Sequence, residues 1–99
     1  MLHINCTQGI FEIEGDLASS NSKNLRSHFE SLFITNSEVI LSLGKLNSID
    51  TSGVNCIVNL YKKAAKNNII FYVIGRTNKK IYDALENTRL SYVVKSDFL

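Results

Sequence analysis

Residues 46–75, LNSIDTSGVNCIVNLYKKAAKNNIIFYVIG, decide how this chain folds. Gly44 to Ile49 reads as a loop. A corner of small polar residues follows, Asp50-Thr51-Ser52-Gly53, and then a helix from about Ser52 to Lys66. Its apolar residues, Val54, Cys56, Ile57, Val58, Leu60, Tyr61, Ala64 and Ala65, form the broad face of a helix laid on a sheet. Its polar residues, Asn55, Asn59, Lys62, Lys63 and Lys66, recur at helical spacing and form one stripe. Traced back one turn, that stripe reaches Thr51. Asn67 or Asn68 stops the helix, in the left-handed conformation that asparagine tolerates. The run Ile69 to Ile74 then has the continuous apolar character of a buried strand.

The same reading extends outward. Val39-Ile40-Leu41, inside a strand predicted over 38–43, is a second continuous apolar run, as in a strand covered on both faces. Before it, Leu25, Phe29, Leu32 and Phe33 recur at i, i+4, i+7 and i+8 and place a helix over roughly 20–35, with Ser19, Ser20, Asn21 and Ser22 as candidate caps. The chain opens with two alternating strands, LHINC and GIFEIEG, joined at Thr7-Gln8-Gly9, the second ending at Gly15. Downstream, 77–87 reads as a third helix with Ile81 and Leu85 inward, and 91–94 as a last short strand. The order β-β-α-β-α-β-α-β predicts one α/β domain over residues 1–99. Helical crossovers make its later strands parallel and the opening hairpin makes the sheet mixed.

Composition narrows the function classes. With 44% hydrophobic residues and 20% charged, the chain is an ordinary globular domain. A net charge of +2 does not call for a nucleic-acid partner, and Lys62, Lys63 and Lys66 read as a solvated helix face. Cys6 and Cys56 lie far apart, outside any CxxC pair, and read as small buried residues. There is no basic-then-apolar leader pattern, and the longest apolar run is too short to span a bilayer. The expected location is the cytoplasm, which leaves the glycosylation-like triplet Asn5-Cys6-Thr7 without meaning. No metal or other cofactor is expected.

The central corner has three readings. One of its residues, Ser52 or a neighbour, caps the helix. Asp-Thr-Gly is also the loop of aspartic proteases, but here an extra serine intervenes and the surrounding chain is helical. His3 and His28 are the only histidines, and both read as surface residues, so no hydrolase triad assembles. No phosphate-binding glycine loop is present. An enzyme is therefore not expected. The third reading is a hydroxyl displayed at the head of an exposed stripe, where a helix N-terminus tolerates an added phosphate.

These residues resemble the STAS domain, the fold of bacterial anti-sigma factor antagonists. The resemblance covers nearly the whole chain and is most specific over 46–75, with a further similarity at GDLASSNSKNL, residues 15–25. It implies that Thr51, directly after the aspartate, is the phosphorylated residue, with Ser52 the lesser candidate. It also implies that Asp50, Thr51, Ser52, Gly53, Asn55 and Asn59 meet the partner, an anti-sigma factor with serine/threonine kinase activity that phosphorylation releases. Three departures stand out. Ala18 occupies the position usually acidic at the start of the first helix, the acceptor is threonine where serine is commoner, and the chain stops near where a final helix would begin. Ala18 and Thr51 lean towards the alternative that the resemblance allows, an accessory subunit docked on the ATPase of a bacterial lipid-transport ABC complex. In neither case is direct membrane insertion expected.

Overall fold

The hairpin at the N-terminus forms because Gln8 and Gly9 adopt positive φ, 52° and 80°, the pair of conformations that a two-residue type I′ turn requires. It joins β1 (His3–Thr7) to β2 (Ile10–Leu17) in antiparallel register, with Thr7 opposite Ile10 and His3 opposite Glu14. The computed structural model describes residues 2–87 and the backbone of 94–95. Within them follow α1 (Ser22–Thr35), β3 (Glu38–Ser42), β4 (Leu46–Ile49), α2 (Thr51–Lys66), β5 (Ile70–Ile74), α3 (Lys79–Asn87) and β6 (Val94–Lys95). The sheet order is β1-β2-β3-β5-β6, with β4 paired to the far end of β2. All pairings after the hairpin are parallel. The expected mixed α/β architecture is the observed one.

Four expectations need correction. Gly15 does not end the second strand: the register shifts between Gly15 and Asp16, and the strand continues to Leu17. That bulge re-aims the strand end so that it pairs with residues 46–49, which were expected to be loop. The run Val39-Ile40-Leu41 is not covered on both faces. Val39 and Leu41 are buried, but the side chains between point to the other side of the sheet, where Ile40 is half-buried and Ile70 is 58% exposed. Cys6 is exposed and only Cys56 is buried, because Cys6 sits on an edge strand beside the turn. The strand expected over 91–94 lies mostly outside the described residues, its end appearing as β6.

One cluster of buried side chains holds α1 and α2 on the sheet. From α1 it takes Leu25, Phe29 and Phe33, as the periodicity predicts, with Leu32 at the margin. Phe29 meets Phe11 and Phe71 edge to face at 5.7 and 6.1 Å, and Phe33 meets Phe71 at 5.4 Å, each pair adding about 0.5–1.5 kcal/mol beyond burial. Ile81 and Leu85 of α3 join the same cluster. Asn78 ties the start of α3 to the β3–β4 turn, its Nδ2 donating to the carbonyls of Leu43 and Leu46 at 2.8 Å each. Asn68 takes the left-handed conformation, φ 58°, after α2.

Candidate functional site

The corner between β4 and α2 is built by its own aspartate. Asp50 has extended backbone and caps α2, one carboxylate oxygen accepting from the Gly53 N–H at 2.9 Å. The cap is therefore Asp50, and the helix starts at Thr51, one residue earlier than the sequence reading put it. The second carboxylate oxygen accepts from the Ser19 N–H at 3.1 Å, which binds the β2–α1 loop to the helix. A second clasp comes from the end of β2: the Asp16 carboxylate accepts from Ser48 Oγ and from Asn47 Nδ2 at 2.8 Å, both on β4. Those two hydrogen bonds hold the Asp16 carboxyl below the usual carboxylate range. Asn21 braces the loop, receiving the Ala18 N–H at 2.9 Å and donating to the Asp16 carbonyl at 2.8 Å.

Gly53 has a different task from its neighbours. It is buried, and a β-carbon there would stand 2.7 Å from the Leu17 carbonyl oxygen and 2.8 Å from an Ile49 side-chain carbon. Glycine at this position lets the first turn of α2 rest directly on the ends of β2 and β4. Gly53 shapes the corner from beneath and is not itself surface.

The remaining residues of the predicted set face outward. Thr51, Asn55 and Asn59 are all exposed and fall on one line of α2, as the periodicity requires, while Ser52 is half-buried. The Thr51 hydroxyl makes no hydrogen bond to another described residue. Beside this line runs a groove of about 330 Å³ lined by Ser22, Lys23, Arg26, Ser52, Asn55, Cys56 and Asn59. The Cys56 thiol closes its floor, donating to the Ser22 carbonyl at 3.2 Å, and burial pushes it up to about 11. Further along, Glu30 accepts from Lys63 at 3.1 Å and from Arg26 at 3.2 Å, and these bonds, Lys63 first, keep its carboxyl below the ordinary value. Along the groove and the seam beside it, Lys23, Arg26 and Lys63 stand against one carboxylate, Glu30, so this side of the two helices is cationic although the chain is only +2 overall.

Sequence reasoning singled out Asp50 and the stripe, offered Ser19 and Asn21 only as candidate caps of α1, and missed the ties that Asp16 and Ser19 make to the corner. Their partners lie up to 32 residues away in the chain, beyond the reach of any local pattern. His3 and His28 are both exposed, Asp16 is engaged by β4 and Asp50 by α2 and the β2–α1 loop, and no group of three metal-ligating side chains occurs among the described residues. No helix among them is long and apolar enough to cross a membrane.

Comparison with known proteins gives a consistent result. A family model described as the STAS domain matches residues 2–96. Among curated protein sequences none matches this chain. Among solved structures, the unphosphorylated anti-sigma factor antagonist SpoIIAA is similar with a TM-score of 0.74 at 12% identity, over 97% of this chain and 87% of that one. An anti-sigma factor antagonist from Mycobacterium paratuberculosis gives 0.78 at 13% identity, over 100% and 86% of the two chains. The Bacillus cell fate determinant SpoIIAA in its phosphorylated form gives 0.66 at 13% identity, over 97% and 90%.

Proposed function

This chain belongs to the STAS domain family, and we propose that it works as an anti-sigma factor antagonist-like switch whose moving part is the state of the Thr51 hydroxyl. One observation carries the reading. The corner occupies Asp50 with capping and loop-tying and leaves Thr51 exposed, without a hydrogen-bond partner among the described residues, at the head of the Asn55–Asn59 line. With Asp50 as the cap, the Thr51 hydroxyl is not needed for capping.

In the bare state the corner, Asn55 and Asn59 meet an anti-sigma factor that carries serine/threonine kinase activity, in the cytoplasm. That partner then uses ATP: Thr51 Oγ attacks the γ-phosphorus, the new O–P bond forms as the bond to the β-phosphate oxygen breaks, ADP leaves, and the hydroxyl proton passes to a base of the kinase. The phosphate brings a charge of about −1.5 to −2 to a helix N-terminus, which tolerates it. The same charge stands next to the Asp50 carboxylate in a surface fitted to a neutral hydroxyl, so the fold survives while the complex separates.

Retrieval of the partner from the native host, followed by intact-mass analysis after incubation with it and ATP, tests this. Wild type and Ser52→Ala should gain one phosphoryl group and lose the partner; Thr51→Ala should gain none and stay bound. Phosphorylation of Thr51→Ala equal to wild type would remove the proposal. A second reading has its own observation. Ala18 supplies no carboxylate beside the corner, and the nearby Asp16 is held by Asn47 and Ser48, which favours a constitutive accessory subunit on an ABC ATPase. That reading expects an ABC ATPase in the same retrieval and no phosphate on Thr51.

A further inference from the structure

We propose that β1 is a dimerisation edge, on which a second copy of this chain adds its own β1 in antiparallel pairing. β1 ends the sheet, with β2 on one side and no strand on the other among the described residues. The two-residue turn makes Thr7–Ile10 a hydrogen-bonded pair, so the pairs alternate back along the hairpin: Asn5–Glu12 and His3–Glu14 are bonded, Ile4–Ile13 and Cys6–Phe11 are not. The N–H and C=O groups of Ile4 and Cys6 therefore point away from β2, and no described residue receives them.

Sheet edges are normally defended by lysine, proline or a bulge. His3-Ile4-Asn5-Cys6-Thr7 contains none of these and no Asp, Glu, Lys or Arg. The same edge borders a groove of about 490 Å³ between β1 and α1, lined by Leu2, Ile4, Ser20, Asn21, Asn24, Leu25 and His28. Leu2, Ile4 and Cys6 alternate onto that side of the sheet. In a two-fold pairing each copy would bring this apolar set to the mouth of the other's groove, while Ile4 and Cys6 of both copies exchange backbone hydrogen bonds. The strand thus matches itself in hydrogen bonding, in side-chain character and in lack of charge. A second copy is for this reason the occupant, ahead of a foreign strand.

A pairing of about five residues per copy lies below about 1,200 Å², the class of transient contacts, so it is sought at high concentration. Sedimentation of the full chain under reducing conditions should read monomer at about 10 µM and mostly dimer at about 1 mM. Over that range amide exchange at Ile4 and Cys6 should slow about fourfold, as the monomer fraction falls, while Asn5 and Thr7, already bonded to β2, should not change. Cys6→Lys, at an exposed position, should stay monomeric at the higher concentration, and Cys6→Ser should dimerise as wild type does, which separates strand pairing from a disulfide. A monomer at about 1 mM overturns the proposal and leaves the edge to a foreign strand. So does a dimer whose Ile4 and Cys6 amides exchange as in dilute solution, or one that Cys6→Lys leaves intact.

Discussion

Gly53→Ala tests the geometry of the corner most directly. In an open helix this change stabilises, by about 0.5–1 kcal/mol, because glycine is the poorer helix former. At this site the added methyl would meet the Leu17 carbonyl oxygen at 2.7 Å, Ile49 Cγ1 at 2.8 Å and Leu17 Cγ at 2.9 Å. The carbonyl cannot swing aside, since it accepts the Asp50 N–H at 3.1 Å. The first turn of α2 must lift instead. Overpacking of this kind costs about 1–3 kcal/mol, and the strained cap and strand-end hydrogen bonds add about 1 kcal/mol. Set against the propensity gain, the net is a loss of about 2 kcal/mol. For a domain of this size that lowers Tm by roughly 8–16 °C. Calorimetry and urea unfolding of the two proteins, compared at one pH and concentration, measure it. A Tm equal to or above that of wild type would refute the claim that glycine is present because the helix rests on β2.

Asp50→Ala removes the cap and the tie to Ser19, and urea unfolding should show a loss of about 1–2 kcal/mol, whereas Thr51→Ala should stay within about 0.5 kcal/mol of wild type as an exposed site. Glu30 should titrate by NMR below its ordinary value of 4.5, and Lys63→Ala should raise that midpoint more than Arg26→Ala does. Because the folded value is depressed, the stability from this cluster is present above pH 4.5 and is lost as pH falls through the lower folded value. At pH 8 a thiol reagent should modify Cys6 and spare Cys56, whose thiol, at about 11, is ionised only to about one part in a thousand; equal labelling of both by mass spectrometry would contradict the burial of Cys56. Binding of the partner to the α1–α2 face should weaken as salt rises from about 0.05 to 0.3 M, since the cations on that face outnumber its carboxylate.

Periodicity was sufficient wherever one element's own sequence carries the signal. The stripe of Leu25, Phe29 and Phe33, the line of Thr51, Asn55 and Asn59, and the inward Ile81 and Leu85 all stand as the spacing requires, because the turn of a helix converts residue number directly into direction. The alternation of elements likewise fixed the parallel, crossover-linked sheet. What depends on a distant neighbour was not legible. The strand at 46–49 exists because a bulge at Gly15 brings the end of β2 alongside it, and no feature of 46–49 alone announces that pairing. The half-open face of β3 and the exposure of Cys6 follow from which side the helices take and which strand is left at the edge. The corner divides in the same way. Its sequence named Asp50, Thr51, Ser52 and Gly53 as a group, and tertiary structure gave them separate work: Asp50 caps and ties, Gly53 lets α2 settle on the strand ends, Ser52 turns partly into the groove, and Thr51 is the fully exposed hydroxyl. Local spacing sets the direction of a side chain, but contacts across 30 or more residues decide what it meets.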